Sequence, residues 1–486
     1  MTLIFAKFKG AIPKMAAHLL PVDKAQVADG CDTTMCDLRS LPMPDKISLL
    51  TVNDIRTLHQ WYDGSILHWL ENEKDIDYVR NPISNDTYSR LFFTGENEMR
   101  FFANDNKSDP FDPTTDYLKC GIPAPGTAPT VGSTGGSEYR AYIYAFLNRY
   151  GDIGSNSPVG STSTHLAGNR VTLTNIDSAP ADRAIDRVWI YRTNSGSAGY
   201  ADFQFVCEAK YFDSSESYAV GDYVIYSNQL YECTTAHSGA WNASHFTAGE
   251  AVSDDDLGEK FQAENYLMPP DGLTGLVGLP NGVFAGFVGN TLYLSEPYKP
   301  HAWPNSESFK EQIVGLAVLG SSLVVLTDSY PKLLYGQDPS NMSKVDYPLL
   351  APCRQKRTIA VGEGRVFYST DEGLVALSES SGNVVTASVL NYEDWQEILP
   401  NHGQFYQGKY FGWHTSGGFI VDFRENDFVT VNLVAHAGYV STYDSKYYLA
   451  QDEYATTPPS GLGDFWEDES GGDFWEGDSD FWEDDS

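Results

Sequence analysis

The sequence predicts a mainly β protein. Its scaffold is β-propeller-like and carries an inserted β-sandwich and a small β module. Short apolar runs rich in Tyr, Phe and Val alternate with turns of Gly, Pro, Asn and Asp along the 486 residues, as expected of strands and turns. Between residues 269 and 452, turn–strand units recur about every 30–45 residues, the spacing of propeller blades. Because this spacing is irregular, a sandwich or barrel remains the alternative.

The first 120 residues are predicted to form the N-terminal part of the propeller-like domain. After an irregular opening, residues 66–70, 90–94 and 99–102 have the composition of strands. Gly95 begins the short loop between the last two, which together indicate a β-hairpin.

Residues 121–136 are rich in Pro, Gly and Thr, which indicates a linker into an insertion. Four strand-like runs follow at short spacing, at residues 139–147, 170–174, 186–192 and 203–207, as in a small β-sandwich. A second, aromatic-rich insertion follows before the propeller-like pattern of turns and strands resumes. We expect both insertions to project from the surface of the propeller-like domain. The predicted domains are therefore 1–120, 121–210, 211–250, 251–452 and 453–486.

The small insertion at 211–250 contains a candidate glycan-binding set of four aromatic residues, Tyr223, Tyr226, Tyr231 and Trp241. Sugar rings stack on flat exposed aromatic side chains, so this set is compatible with a carbohydrate platform. A module of about 40 residues also needs aromatic side chains to build a core, because small domains bury little surface. Both interpretations remain open from the sequence.

The C-terminal residues 464–486 contain three copies of the sequence Asp-Phe-Trp-Glu and no basic residue. This composition predicts disorder in the isolated chain. Large apolar side chains anchor protein interfaces, and linked copies raise one another's effective concentration. We therefore take the three apolar pairs as candidate partner-docking residues, with a solubilising acidic tail as the alternative; the pairs are Phe465, Trp466, Phe474, Trp475, Phe481 and Trp482.

The charge of the chain argues against two classes of function. The formal net charge is −34, from 66 acidic and 32 basic residues. Phosphate binding and docking on anionic lipid both need clustered Lys and Arg. The apolar runs are all well short of the roughly 20 residues that span a bilayer, so we expect no membrane-spanning segment.

The sequence offers no motif typical of an enzyme or a metal protein. It lacks the phosphate-binding loop, the paired-histidine zinc motif and the serine nucleophile elbow. The run Asp254–Asp256 could ligate a cation, but consecutive residues of an extended chain point to opposite faces, which favours a solvated turn. The six cysteines are scattered, as expected of free thiols in a reducing cytoplasm. We therefore predict a protein that is not an enzyme and has no cofactor, no catalytic residues and no bound metal.

Two long segments carry a resemblance to a known family. They read LPNGVFAGFVGN at residues 279–290 and LYLSEPYKPHAWP at residues 292–304. Residues 313–316, 326–328 and 90–102 and the opening around Ile12 and Leu20 add to it. Together they resemble the tail tube or nozzle proteins of short-tailed bacteriophages, which are also called tail tubular protein B-like proteins.

This resemblance implies a structural function in the virion. The subunit would form a homo-oligomeric ring, a hexamer, below the portal and adaptor and near the tail fibres. Double-stranded DNA would pass through its channel during ejection without specific binding. The protein would be assembled in the host cytoplasm and located in the virion tail.

The two insertions carry likenesses of their own. Residues 121–210 resemble a fibronectin type III-like sandwich, and residues 211–250 resemble a small chitin-binding-type module. In that module a second large aromatic residue usually stands near the end, and here the position holds Phe246. The alternative functions are therefore a glycan-binding adhesin on a β-propeller scaffold and, with least support from the sequence, a polysaccharide-degrading enzyme.

Overall fold

The computed structural model describes residues 8–33, 39–42, 44–52, 54–166, 168–194, 202–424 and 427–451. The chain begins with an irregular segment that contains the 3-10 helix Ala17–Leu19 and a short antiparallel pair, β1 (Cys31–Asp32) and β2 (Arg39–Ser40). Sheet 1 is the antiparallel hairpin of β3 (Thr57–Tyr62) and β4 (Leu67–Asn72).

Sheet 2 follows directly and has four antiparallel strands in chain order. Its strands are β5 (Asp77–Arg80), β6 (Leu91–Thr94), β7 (Arg100–Phe102) and β8 (Leu118–Lys119).

The chain then leaves the ring to form the insert, which we define as residues 121–268. A nine-stranded sheet forms most of it, in the order β12-β11-β15-β16-β18-β19-β14-β9 with β21 beside β19. The bounds are β9 (Thr130–Val131), β10 (Glu138–Arg140), β11 (Tyr142–Asn148), β12 (Ile153–Asn156), β13 (Ser163–His165), β14 (Leu173–Thr174), β15 (Ile185–Arg192), β16 (Gln204–Tyr211), β17 (Ser217–Tyr218), β18 (Tyr223–Tyr226), β19 (Gln229–Cys233), β20 (His237–Ser238) and β21 (Phe246–Ala248), with 3-10 helices Ala181–Arg183, Ala243–His245 and Asp254–Asp256.

Four further four-stranded sheets and a final hairpin complete the ring. Sheet 3 comprises β22 (Thr274–Gly278), β23 (Phe284–Val288), β24 (Thr291–Leu294) and β25 (Asn305–Ser308). Sheet 4 comprises β26 (Ile313–Leu319), β27 (Ser322–Thr327), β28 (Lys332–Tyr335) and β29 (Ser343–Asp346), and sheet 5 comprises β30 (Ala360–Gly362), β31 (Arg365–Ser369), β32 (Leu374–Leu377) and β33 (Gly382–Val384). Sheet 6 comprises β34 (His402–Tyr406), β35 (Lys409–His414), β36 (Gly417–Asp422) and β37 (Asp427–Val431). Sheet 7 is the hairpin of β38 (Ala437–Val440) and β39 (Tyr447–Ala450).

Three short helices lie between these sheets: the 3-10 helices Lys356–Thr358 and Val385–Ser388, and α1 (Tyr392–Glu397). The side chain of Asn391 caps α1 by accepting a hydrogen bond from the backbone N–H of Asp394.

The seven sheets close into a propeller-like ring, which confirms the predicted fold class. A separate apolar cluster lies between each sheet and the next, including one between sheets 7 and 1. In that closing cluster Leu58 of sheet 1 packs with Ala437, Tyr439 and Ala450 of sheet 7. The first and last sheets of the ring, which are both hairpins, are therefore neighbours.

Sheet 4 shows why the sequence of the ring strands differs from simple alternation. Strand β27 reads Ser-Leu-Val-Val-Leu-Thr and is buried along its whole length. Leu323 and Val325 face sheet 3, whereas Val324 and Leu326 face sheet 5. A sheet that is covered on both faces needs a continuous apolar run rather than alternating polar residues.

The insert forms one sheet and one core across the predicted boundary at residue 210. Strand β16 pairs in parallel with β18, and β19 pairs with β14, which lies far earlier in the chain. Ile225 and Leu230 belong to the same buried cluster as Tyr142 and Val188. Strands β18 and β19 of the predicted small module therefore lie in the middle of the insert's main sheet, whereas β17 and β20 form a separate pair.

Candidate functional site

The axis of the ring is occupied by the 3-10 helix Lys356–Thr358, which we call the axial plug. The first strands of neighbouring sheets contact one another around this axis. Lys356 Nζ lies 2.8 Å from both carboxylate oxygens of Asp77 in sheet 2 and 3.2 Å from the Thr274 hydroxyl oxygen in sheet 3. The plug, which follows sheet 4 in the chain, thus reaches across the centre of the ring to sheets 2 and 3.

Arg357 extends the plug toward the two hairpin sheets. Its guanidinium donates to the backbone carbonyl of Arg56, just before sheet 1, and to that of His436, just before sheet 7, at 2.8 Å for the latter. The hydroxyl of Tyr410 in sheet 6 donates to the carbonyl of Thr358 at 2.8 Å. The plug, which lies between sheets 4 and 5 in the chain, therefore bonds to the segments that precede sheets 1 and 7 and to sheet 6.

The electrostatics of the axis follow from burial. Burial raises the pKa of the Asp77 carboxyl, and the adjacent Lys356 ammonium opposes this shift. Burial, with the nearby charges of Arg357 and His436, lowers the pKa of His402 to about 3. His402 is consequently neutral at pH 7, whereas Lys356 is paired with Asp77 and Arg357 donates to backbone carbonyls.

The segment that carries the family resemblance connects the insert to the ring. Residues 295–304 link β24 to β25, and there the backbone N–H of Trp303 donates to the carbonyl of Leu267 at 2.7 Å. In the same connection His301 Nδ1 lies 3.1 Å from Asp152 Oδ1 in the insert. Arg90 of the ring reaches the other oxygen, Asp152 Oδ2, at 3.2 Å.

Asp152 is the charged centre of this junction. Burial alone would raise its pKa, but the neighbouring His301 and Arg90 lower it well below the ordinary range. The carboxylate is therefore ionised and held by groups from sheets 2 and 3. Such an arrangement fixes the insert against the ring through polar contacts that are specific in direction.

The structure places the four predicted glycan-binding residues on two faces of the insert's sheet. Tyr226, Tyr231 and Trp241 share one face. Tyr223 packs against the main core on the opposite face. The set is therefore not a single platform.

Trp241 is covered by aromatic rings on both sides. The ring of Tyr226 is stacked on it at 4.0 Å between centroids and 9°, and the ring of Phe246 at 4.3 Å and 12°. Phe212 and Tyr231 contact it edge-on. This arrangement matches the core interpretation, because a sugar ring needs a free aromatic face for stacking.

The other predicted site residues divide into two groups. The six docking residues, Phe465, Trp466, Phe474, Trp475, Phe481 and Trp482, lie outside the described residues. Asp254 accepts from Arg192 at 2.7 Å, and Asp256 accepts from Ser253 at 2.7 Å, within a 3-10 turn. In the described parts of the chain, no group of three His, Cys, Asp or Glu side chains is arranged to hold a metal ion. The same parts contain no helix long and apolar enough to cross a membrane.

Sequence patterns predicted neither the axial plug nor the junction. A signal for the plug is present, because Arg354, Lys356 and Arg357 concentrate three basic residues within four positions of a strongly acidic chain. The junction left no comparable local signal. Arg90, Asp152 and His301 are isolated in sequence, and only folding brings them together.

No family model matches this sequence, and no curated protein matches it. Among solved structures, the chain is similar to BamB from Moraxella catarrhalis, with 10% identity, 63% of this chain and 79% of that chain covered, and a TM-score of 0.29. For the WD40 domain of Neurospora crassa Pan2 these values are 9%, 55%, 82% and 0.28. For U3-55K they are 7%, 78%, 89% and 0.31.

These similarities are too low to carry an argument, so the assignment of architecture rests on the sheets of the molecule. The chain is a mainly β protein with a propeller-like ring of sheets, a plugged axis and an insert fixed to the ring at a charged junction.

Proposed function

We propose that this chain is a structural subunit of a bacteriophage tail, which assembles with further copies into a tube or nozzle ring for genome ejection. The observation that carries the proposal is the segment 279–304, which resembles tail ring proteins. This segment forms β23, β24 and the connection that fixes the insert. Its residues therefore contribute to the rigid frame that a ring subunit needs.

The axial plug bears on the proposed path of the genome. Because the plug crosses the centre of each subunit, we infer that the channel would lie between subunits of the assembled ring. A net charge of −34 suits a wall that DNA passes without being retained. We expect the channel surface to be net negative, because a wall rich in Lys and Arg would bind phosphate.

The proposed surroundings follow from the same assignment. The subunit would be located in the virion tail after assembly in the host cytoplasm. Its neighbours would be further copies in a hexameric ring, the adaptor and portal side, and the tail fibres. No enzymatic step is part of this function.

Electron microscopy of the purified protein tests the proposal. The isolated protein is expected to be either a single chain or a closed ring. With its tail partners we expect rings with a central channel, whose symmetry negative-stain class averages would count. Homo-oligomers usually close by rotational symmetry, so a stable dimer without rings would contradict the proposal. Immunogold labelling at a site other than the tail in virions would contradict the location.

The glycan-binding alternative has less support from the geometry. Trp241 has both ring faces covered, and Tyr223 lies on the other side of the sheet. Retention of the purified protein on chitin or lipopolysaccharide that is abolished by Tyr226→Ala would support glycan binding.

A further inference from the structure

Sheet 7 has less buried apolar packing than the sheets in the middle of the ring. In the described chain its two strands pair only with each other, so side chains and single hydrogen bonds hold it against its neighbours. The apolar clusters on its two faces contain four and five buried residues, whereas those between sheets 3 and 4 and between sheets 4 and 5 contain twelve and eleven. Regions with few buried apolar contacts open most readily. We therefore expect local opening of the ring to begin at sheet 7.

His59 lies on the side of sheet 7 that faces sheet 1. Its ring is stacked on Tyr78 of sheet 2 at 4.8 Å between centroids and meets Tyr439 of β38 edge-on at 4.7 Å. The titratable and charged groups that face it are these two phenols and the guanidinium of Arg80 in β5. Burial lowers the pKa of His59 to about 3, and Arg80 adds to this shift. His59 is therefore neutral while sheet 7 is in place.

His402 occupies the corresponding place on the side of sheet 7 that faces sheet 6. It shares a face of sheet 6 with Trp413, whose indole N–H donates to the hydroxyl of Tyr447 in β39 at 2.8 Å. The charged and titratable groups that face His402 from the plug and from the start of sheet 7 are Arg357 and His436, and both are basic. Arg357 also donates to the carbonyl of His436, directly before β38, at 2.8 Å. A buried neutral histidine thus lies on each side of sheet 7.

Protonation of these histidines would oppose the closed position of sheet 7. It would place one imidazolium beside Arg80 and the other beside Arg357, whose charge Asp75 offsets only in part. In an opened state both rings would be hydrated and would take up protons near the ordinary pKa of 6.5. Because the opened state then binds protons more tightly than the closed one, a fall in pH shifts the equilibrium toward opening.

We propose that sheet 7 is an acid-released element of the ring, which detaches from sheets 1 and 6 in mildly acidic solution while sheets 3 to 5 stay folded. The inference concerns the single chain and does not depend on the proposed assembly. Sheet 7 would stay closed above pH 6.5 and open increasingly as the pH falls. Each histidine should raise the equilibrium constant for opening roughly 70-fold between pH 7 and pH 4.5.

Hydrogen exchange of the wild-type protein tests the release. Protection factors are measured at pH 7 and pH 4.5 and corrected for the intrinsic effect of pH on amide exchange. Peptides covering residues 437–450 should lose protection by roughly 70-fold or more, whereas peptides covering residues 313–327 of sheet 4 should keep theirs. Unchanged protection at residues 437–450 would overturn the inference. Equal losses in both regions would also overturn it, because they would indicate global unfolding.

Two double variants test whether the two histidines cause the release. His59→Phe/His402→Gln removes both titrating groups and keeps an aromatic ring at the first position and a polar side chain at the second. This variant should retain the protection of residues 437–450 at pH 4.5. His18→Gln/His245→Gln is the matched control, because these histidines lie in the 3-10 helices Ala17–Leu19 and Ala243–His245. It should release sheet 7 as the wild type does.

The variants can contradict the inference in two ways. Release of sheet 7 at pH 4.5 in His59→Phe/His402→Gln would show that other groups drive the opening. Loss of the acid response in both double variants would show that the response is not specific to the histidines beside sheet 7. The wild-type comparison of sheets 4 and 7 remains decisive if the first variant fails to fold.

Discussion

At the scale of single residues, the ion pair between Lys356 and Asp77 dominates the axis. Both side chains are largely buried, and Lys356 also contacts Asp75 at 3.3 Å. Removing one partner of a buried pair leaves the other charge uncompensated. We expect Lys356→Met to lower the free energy of unfolding by roughly 2–4 kcal/mol in urea denaturation.

A matched variant separates the axis from lysine loss in general. Lys344 pairs with Glu307 on the surface at 2.6 Å, and Lys344→Met should cost at most about 1 kcal/mol. The double variant Lys356→Met/Asp77→Asn should recover part of the lost stability. Equal effects of the two lysine variants would show that the ion pair of Lys356 contributes no more to the free energy of unfolding than a surface ion pair does.

We expect His402 to make the free energy of unfolding fall as the pH is lowered. Its pKa is lowered to about 3 in the folded protein, chiefly by burial, and an unfolded histidine titrates near 6.5. The unfolded state therefore binds more protons between pH 6.5 and 3, so this contribution is complete above pH 6.5 and declines as the pH falls. At pH 5 the loss should be about 2 kcal/mol relative to pH 7.

The measurement is the free energy of unfolding as a function of pH for the wild type and His402→Gln. The variant should show a shallower slope between pH 6.5 and 4, because it lacks the titrating group. Parallel curves would mean that the pKa of His402 is not lowered in the folded protein.

Substitution of Trp241 tests whether the aromatic set forms a core or a binding surface. It is stacked between Tyr226 and Phe246, so Trp241→Ala should leave a cavity and destabilise the insert by about 3 kcal/mol. Tyr139 in the same insert is exposed, and Tyr139→Ala should change stability by less than about 0.5 kcal/mol. A Trp241→Ala protein of unchanged stability would favour the binding interpretation.

At the scale of elements, the insert is the unit that can be removed. Its two ends meet at the ring, where a Cβ atom on Gly121 would stand 2.6 Å from Pro269 Cδ. Replacing residues 122–267 by a short Gly-Ser linker should leave the ring folded, because neighbouring chain ends need little loop to join. Hydrogen exchange should show full protection retained in sheets 3 to 6.

A partial deletion should behave differently. Removing residues 211–250 deletes β18 and β19, which connect β16 to β14 within one sheet. The core around Tyr142 and Val188 would lose Ile225 and Leu230. We expect hydrogen exchange to show loss of protection across residues 121–210, and an intact remainder of the insert would show that the two parts fold separately.

At the scale of the whole molecule, charge governs what the protein binds. With 66 acidic and 32 basic residues, nonspecific association with DNA should be absent, because that association depends on counterion release by Lys and Arg. Electrophoretic mobility shift with duplex DNA should show no complex at about 150 mM salt. A complex that weakens as salt rises would reveal a basic surface in the assembly.

The sequence alone determined the class of the fold and the recurrence of its units. Turn residues and apolar runs are local signals, and strand pairs such as β23–β24 and β35–β36 join neighbours in the chain. Because each such pair lies within one short stretch of sequence, the repeated pattern of turns and strands favours a propeller, although a sandwich or barrel stays open until the sheets are placed. The candidate aromatic set was found in the same way, but its arrangement was not.

Only the tertiary structure decided how distant parts meet. Sheets 1 and 7 are neighbours, although almost the whole chain separates them. Lys356 reaches Asp77, and Arg90 and His301 converge on Asp152. The two faces of Trp241 are covered by residues that the sequence places on separate strands. Such contacts depend on ring closure and sheet order, which arise from packing the whole chain and leave no periodic trace in any one segment.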